Sequence, residues 1–123
     1  EKGENKLNFC LPTVNYTLIE DKKMLDDLDK HWIQLKWSEK EGLEKQEAWK
    51  YQYAKHGSCC QSLYNQNTYF SLALRLKDRF DLLKTLEMHR IVPGENYTFL
   101  EIVKAIKTVT HSDFVFKCVK GTQ

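Results

Sequence analysis

The distribution of the four cysteines is the feature that most constrains the fold of this 123-residue chain. Two cysteines are adjacent, and none belongs to a Cys-x-x-Cys pair or to the cysteine and histidine spacing that is typical of zinc sites. Disulfide bonds fit this pattern better than a metal site does, and they favour a secreted protein. The cysteines are Cys10, Cys59, Cys60 and Cys118.

Two glycosylation sequons favour the same compartment. Asn15 and Asn96 each begin an Asn-Tyr-Thr sequence, and both lie in polar surroundings that are typical of loops. We therefore predict N-linked glycans at Asn15 and Asn96 of a secreted, extracellular protein.

The composition predicts a folded domain with, at most, a local site for nucleic acid. Hydrophobic residues make up 41% of the chain and aromatic residues 12%, which is enough for a core. The formal net charge of +2 lacks the basic excess of proteins that coat nucleic acid. Because no apolar run approaches the roughly 18 residues of a membrane span, we expect no membrane contact.

Hydrophobic periodicity predicts one α+β domain over residues 1–123, without repeats or linkers. A residue suited to a left-handed cap, Gly57, is expected to end the helix that precedes the second and third cysteines. The helix over 68–88 is expected to bury a stripe of Leu72, Leu76, Phe80 and Leu83. The predicted elements are a helix from Asp21, a strand over 33–37, an exposed loop over 38–46, a helix over 47–57, the helix over 68–88, a break at Pro93 and Gly94, a helix after the Thr98 and Glu101 capping box, and a strand over 114–119.

The helix before the adjacent cysteines gathers groups suited to acid/base chemistry. Gln52 and His56 are four residues apart and share a helix face, while Lys55 flanks the histidine. The helix dipole favours the imidazolium form of His56 and Lys55 disfavours it, so the ring is suited to both giving and taking a proton. Lys55 and the Gln52 amide could then hold a phosphate.

A structural interpretation of these residues stays open beside the catalytic one. His56 and Lys55 could simply interact with the free carbonyls of a helix C-terminus. Trp49 and Tyr53 could be core residues and not a platform for a ligand.

The sequence WKYQYAKHGSCC over residues 49–60 resembles the second active-site motif of the ribonuclease T-two family. The family form reads roughly Phe-Trp-x-His-Glu-Trp/Tyr-x-Lys-His-Gly-Thr/Ser-Cys, and the doubled cysteine is similar to the S-ribonucleases of plant self-incompatibility. The resemblance extends in the same order over nearly the whole chain. The further similar segments are 26–32, 69–73, 76–83, 91–93 and 105–110.

The resemblance implies a fold in which an antiparallel sheet packs against several helices. It also implies a metal-independent endoribonuclease without cofactors, in which the ribose 2′-hydroxyl attacks its own phosphate and leaves a 2′,3′-cyclic phosphate. DNA, which lacks that hydroxyl, should be spared. His56 matches the catalytic histidine of the motif and Lys55 its phosphate-stabilising lysine, with Gln52 and Tyr51 beside them at the substrate.

This sequence departs from the family motif at three positions. Gln52 stands where the wider family has Glu, Tyr51 where it has an auxiliary His, and Ala48 where it has an aromatic residue. Because a Gln side chain cannot ionise, only hydrogen bonding to phosphate is left at that position, and we expect slower chemistry.

The first active-site motif of the family, His-Gly-Leu-Trp-Pro, does not occur in residues 1–123, and His31, His89 and His111 do not lie in such a motif. We therefore expect the sequence to be truncated at both ends, after that motif and before a C-terminal segment that contains cysteine. The polypeptide as written is then expected to be nearly inactive.

The resemblance also implies cysteine roles and partners. Cys10 is expected to pair with Cys59 and Cys118 with a cysteine beyond the sequence, which leaves Cys60 over. Residues 5–16 and 34–46 match the hypervariable segments that distinguish alleles, although exposed loops are polar for simpler reasons as well. The implied partners are RNA and pollen F-box proteins, and the protein is expected to be a monomer.

Three functions compete at this point. The first is RNA cleavage as the pistil-side, cytotoxic determinant of self-incompatibility. The second is a non-catalytic relative that serves as a defence, storage or recognition glycoprotein, which Tyr51 and Gln52 favour. The third is a nutritional or stress ribonuclease of the same fold.

Overall fold

A computed structural model describes residues 7–111, which form six α-helices and one 3₁₀ helix. Contacts between residues divide the chain after Lys77 into two compact units. The helices are α1 (Lys22–His31), α2 (Glu39–Lys45), α3 (Glu47–Lys55), the 3₁₀ helix (Gly57–Cys60), α4 (Gln66–Arg79), α5 (Leu82–Met88) and α6 (Phe99–Thr110).

Helix α3 lies at the centre of the first unit because its two large aromatic residues are buried. Trp49 is 0% exposed and Tyr53 is 1% exposed, and both pack with Leu28 of α1 and Phe70 of α4. The Trp49 indole N–H donates to the Trp32 carbonyl oxygen at 2.9 Å, so its one polar atom is satisfied. Trp49 and Tyr53 are therefore core residues, and they fix the orientation of α3.

The predicted starts of α1 and α6 are confirmed. The Asp21 carboxylate accepts a hydrogen bond from the Met24 N–H at 2.7 Å and begins α1. Before α6, the Thr98 hydroxyl accepts from the Glu101 N–H and the Glu101 carboxylate accepts from the Thr98 N–H. This is the capping box that the sequence predicts.

The predicted strand over 33–37 is wrong, because these residues form an irregular turn. A strand needs a partner for its backbone, and no strand is present in the range 7–111. Here the Gln34 side chain is buried instead. Its amide donates to the Gly42 carbonyl at 2.6 Å and accepts from the Ala48 N–H at 3.1 Å, so it joins α2 to the start of α3.

The predicted loop over 38–46 is also wrong, since most of it forms α2. The Ser38 hydroxyl accepts a hydrogen bond from the Glu41 N–H and donates to the Glu41 carboxylate, which gives the helix a defined start. Gly42 lies in the middle of α2 because a Cβ atom there would lie 3.0 Å from the Gln34 amide nitrogen.

Gly57 has a different role from the predicted one. Its φ is not positive, so it does not form a left-handed cap. Gly57 begins the 3₁₀ helix that directly follows α3. A Cβ atom at Gly57 would lie 2.2 Å from the Tyr53 ring. Glycine is therefore required here by the close approach of the backbone to the buried ring.

The predicted helix over 68–88 is divided into α4 and α5. The Asp81 carboxylate accepts from the Lys84 N–H at 3.1 Å and starts α5, and this N-cap interrupts the helix. The predicted buried stripe is also interrupted, because Leu76 is 44% exposed and Leu83 is 58% exposed.

The second unit contains α5 and α6, which pack together. Its buried residues within the described range are Thr85 of α5 and Ala105 and Ile106 of α6. The turn predicted at Pro93 and Gly94 is confirmed, with Gly94 at a φ of 94°. The predicted strand over 114–119 lies outside the described residues, so the antiparallel sheet remains a prediction.

Candidate active site

The candidate site is the C-terminal end of α3. Trp49 and Tyr53 are buried on the inner side of this helix, and the predicted chemical groups lie on its outer side. Tyr51 is 51% exposed, Gln52 and Lys55 are half-buried, and His56 is exposed. The structure therefore places all four predicted site residues within the last turns of one helix.

His56 lies between the end of α3 and the start of the 3₁₀ helix. Its N–H donates to the Gln52 carbonyl at 2.9 Å, and its own carbonyl accepts from the Cys59 N–H at 3.2 Å. In the described part of the chain, neither the His56 ring nor the Lys55 ammonium bonds a helix carbonyl. The interpretation that both side chains serve only to cap the helix is therefore not supported, and the imidazole is accessible from solvent.

Lys55 contacts an aromatic ring. Its Nζ atom lies 5.6 Å from the ring centroid of Tyr51, one turn earlier on α3. The Tyr51 ring in turn packs edge to face against Phe9, with ring centroids 5.9 Å apart. Three side chains thus form a row from Phe9 through Tyr51 to Lys55.

A disulfide bond holds Phe9 and Cys10 against the end of α3. Cys10 and Cys59 are joined with an S–S distance of 2.09 Å, which is the pairing that the resemblance implies. The Cys10 N–H also donates to the Ser58 hydroxyl at 3.1 Å, and the Phe9 N–H donates to the Lys55 carbonyl at 2.7 Å. These bonds fix the backbone on both sides of His56.

The other two cysteines are not joined to this site by a described bond. Cys60 is a free, half-buried thiol whose Sγ donates to the Gly57 carbonyl at 3.3 Å. Cys118 lies outside the described residues, so its predicted pairing stays a prediction.

An open groove of about 630 Å³ lies against the outward side of α3. Gln52 and Tyr51 form one wall, one turn before His56, and the turn over 33–37 forms the other wall. Trp37 and Trp32 give the groove aromatic surface, and Lys36 gives it a cation. Its lining is completed by Ile33, Gln34, Leu35, Glu47 and Ala48.

Two core tyrosines behind the site, Tyr53 and Tyr69, have raised pKa values. Burial raises the pKa of Tyr53, and the nearby Cys60 raises it further. Burial likewise raises the pKa of Tyr69, whose ring packs against Tyr53 at 5.4 Å. Both hydroxyls therefore keep their protons to a higher pH than an exposed tyrosine does.

The predicted glycosylation residues lie on the surface of the described chain. Asn15 and Asn96 are both exposed and lie in irregular segments, one in each compact unit. Asn15 lines a second open cleft of about 540 Å³, beside Thr17, whose backbone is held by the Gln66 side chain.

No helix among the described residues is long and apolar enough to cross a membrane. They also contain no group of three or more His, Cys, Asp or Glu side chains arranged to hold a metal ion.

Phe9 and Gln34 shape the site from outside α3, and neither was predicted from the sequence. Phe9 directly precedes Cys10, so the implied disulfide was a signal that could have placed it beside Tyr51. No local signal identifies Gln34, because its partners Gly42 and Ala48 are distant in sequence.

Comparison with known proteins identifies similar ribonucleases. The chain is 56% identical over 120 residues to ribonuclease S-F11 of Nicotiana alata, covering 98% of this chain and 61% of that protein. Extracellular ribonuclease LE of Solanum lycopersicum is 34% identical over 101 residues, covering 80% of this chain and 43% of that protein. The chain thus spans about three-fifths or less of the length of these relatives.

A solved structure shows the same fold. The crystal structure of the gametophytic self-incompatibility associated SF11-RNase of Nicotiana alata matches with a TM-score of 0.85 and 58% identity, covering 90% of this chain and 56% of that chain. The profile of the ribonuclease T2 family matches residues 1–123. The chain therefore belongs to the ribonuclease T2 family.

Proposed function

We propose that this chain belongs to a secreted endoribonuclease that cleaves single-stranded RNA by transphosphorylation. The observation that carries the proposal is the exposed His56 imidazole beside Lys55 and Gln52 at the disulfide-anchored end of α3. In this reaction the ribose 2′-oxygen bonds to phosphorus and the bond from phosphorus to the 5′-oxygen breaks. The products are a 2′,3′-cyclic phosphate and a free 5′-hydroxyl.

His56 is proposed as a proton-transfer group of this reaction. The nucleophile belongs to the substrate, so the protein has to supply acid/base groups and charge stabilisation. An imidazole exchanges protons near neutral pH, and the His56 ring makes no hydrogen bond within the described part of the chain. It is therefore available to a bound phosphodiester.

Lys55 and Gln52 are proposed to stabilise the charge that develops on the phosphate oxygens. The Lys55 ammonium is a permanent donor next to His56, and the Gln52 amide can donate but cannot ionise. Tyr51 lies on the same outward face and contributes to substrate binding through its exposed ring. The groove in front of Tyr51 and Gln52 offers aromatic surface on which a base can stack.

The reaction requires a second proton-transfer group as well. The resemblance assigns that group to a histidine motif that residues 1–123 do not contain, and so the experiments below use the natural protein that carries this chain. Metal independence is part of the proposal, since imidazole and ammonium groups supply the required chemistry.

The biological role that we propose is that of a self-incompatibility ribonuclease. Its support is the similarity to ribonuclease S-F11 of Nicotiana alata, which exceeds the similarity to extracellular ribonuclease LE. The disulfide and the exposed Asn15 and Asn96 support secretion and glycosylation. Pollen F-box proteins are the proposed partners, and the exposed side of α2 and residues 7–16 are the proposed recognition surfaces.

The proposal is tested with the natural protein, an RNA dinucleoside phosphate and the same compound with a 2′-deoxyribose before the phosphate. We expect a 2′,3′-cyclic phosphate from the first substrate, no cleavage of the second, and the same rate in excess EDTA. Equal cleavage of both substrates would exclude attack by the 2′-hydroxyl, and loss of activity in EDTA would exclude the metal-independent mechanism.

One observation favours a non-catalytic glycoprotein as the second candidate. Gln52 and Tyr51 replace the two ionisable residues that accompany the histidine in the wider family. A natural protein that binds single-stranded RNA, is folded and releases no cyclic phosphate would support this second function and reject the first.

A further inference from the structure

We propose that Phe9 and Tyr51 are positioning residues that hold the Lys55 ammonium towards the substrate phosphate. The inference rests on the proposed function, because it requires Lys55 to stabilise charge on that phosphate. It extends the site beyond the motif on α3 to a residue that lies more than forty positions earlier in the chain.

The first step of the argument is the contact of Lys55 with Tyr51. The ammonium nitrogen lies 5.6 Å from the ring centroid, within the range of a cation–π interaction. Lys55 forms no ion pair with a carboxylate among residues 7–111. A carboxylate would neutralise the ammonium and accept its hydrogen bonds, whereas a ring face restrains the ammonium and leaves both its charge and its donors to a phosphate.

The second step is the way in which Phe9 fixes Tyr51. Tyr51 is half exposed and would otherwise be free on the outward side of α3. The Phe9 ring meets it edge to face, with an interplanar angle of 71° and centroids 5.9 Å apart. The Phe9 N–H also donates to the Lys55 carbonyl at 2.7 Å, so one residue contacts both Tyr51 and the backbone of Lys55.

The third step is the backbone of Phe9, which has a φ of 48°. This left-handed conformation is unfavourable for a bulky residue and suits glycine better. It is held in place by the disulfide of the next residue, Cys10, to Cys59. The conformation directs the Phe9 N–H to Lys55 and its ring to Tyr51 at the same time, which explains why strain is retained at this point.

The test measures kcat and KM of the natural protein on an RNA dinucleoside phosphate. Tyr51→Leu removes the ring, and Phe9→Gly removes the other ring while keeping a backbone that tolerates a positive φ. Each is expected to lower kcat about two- to fivefold with a smaller change in KM, as the loss of an exposed cation–π contact implies. Tyr51→Phe keeps the ring and is expected to restore kcat.

Three further variants separate positioning from a structural role. Tyr64→Leu, at a tyrosine outside the site, is expected to leave kcat unchanged. Lys55→Gln alone is expected to lower kcat about 100-fold. In the Lys55→Gln background, Tyr51→Leu should have no further effect on kcat, because the group that it positions is absent, whereas the contribution of the ring to substrate binding is read from KM.

Two results would overturn the inference while leaving the proposed function intact. One is that Tyr51→Leu lowers kcat by the same factor in the Lys55→Gln background as in the original protein. The other is that Tyr51→Phe has a kcat as low as that of Tyr51→Leu. If Lys55→Gln itself keeps the original kcat, the proposed role of Lys55 is rejected, and the inference fails with it.

Discussion

Gln52 occupies the position on α3 where the resemblance places an ionisable glutamate. Its side chain is half-buried and lines the groove. An amide at this position can donate a hydrogen bond to a phosphate oxygen but cannot carry a proton away. Gln52 therefore lacks the proton-transfer capacity of the family's glutamate, whereas His56 and Lys55 match the residues of the family motif.

Restoring the carboxylate should accelerate the reaction. Gln52→Glu in the natural protein is expected to raise kcat about tenfold, because an added acid/base group contributes to proton transfer. The measurement is initial rate on the dinucleoside phosphate, with Gln61→Glu as a matched change of charge outside the groove. An unchanged rate in Gln52→Glu would show that this position does not assist the reaction.

Single residues of the site were partly predictable from the sequence. The proximity of His56, Lys55, Gln52 and Tyr51 was predictable because they lie within one short segment, where helical spacing determines which side chains are neighbours. The contact between Phe9 and Tyr51 was not, because it depends on a chain reversal that brings distant segments together. The role of Gly57 was also missed, since the close approach to Tyr53 requires knowledge of how that ring is packed.

At the scale of elements, Gln46 determines how α2 and α3 meet. It is 2% exposed, has a φ of 52° and separates the two helices. Its side-chain oxygen accepts from the Tyr16 hydroxyl at 2.7 Å and from the Ile19 N–H at 2.9 Å, while its amide donates to the Ile19 and Leu43 carbonyls. Burial raises the pKa of Tyr16, so its hydroxyl keeps the proton that it donates.

Loss of this amide should destabilise the unit that carries the site. Gln46→Leu would leave the polar groups of Tyr16 and Ile19 without partners in a buried position, and we expect the free energy of unfolding to fall by about 2–4 kcal/mol. Urea denaturation of the natural protein measures this change. The exposed control Gln61→Leu should remain within about 0.5 kcal/mol of the original, and an equally small effect for Gln46→Leu would contradict the assignment.

The elements that the sequence predicted correctly are those with strong local signals. Helices α1 and α6 have both an apolar stripe and a capping residue at the predicted start. The start of α2 has a capping residue, Ser38, but the glycine within this helix obscured it. The break before α5 has the capping residue Asp81, but a continuous apolar pattern across the break obscured it. The segment 33–37 was wrongly predicted as a strand because apolar and polar residues alternate in it. It forms a turn instead, which Gln34 stabilises by hydrogen bonds to Gly42 and Ala48.

At the scale of the whole molecule, the motif of residues 49–60 and the Cys10–Cys59 disulfide belong to one compact unit, which also contains the groove. Membership of the ribonuclease T2 family was predictable from this motif alone, and the comparisons confirm it. The groove was not predictable, because its two walls come from separate segments. The sequence therefore predicted which groups lie together, and the fold added the groove that Tyr51 and Gln52 line.

The most direct test of the central claim is the effect of His56→Ala on cyclic phosphate formation by the natural protein. His31→Ala is the matched control, since His31 also lies in the last turn of a helix. We expect His56→Ala to lower kcat by at least about 100-fold with an unchanged melting temperature, and His31→Ala to keep the original rate. A folded His56→Ala protein that forms the cyclic phosphate at the original rate would contradict the assignment of His56 as the proton-transfer group.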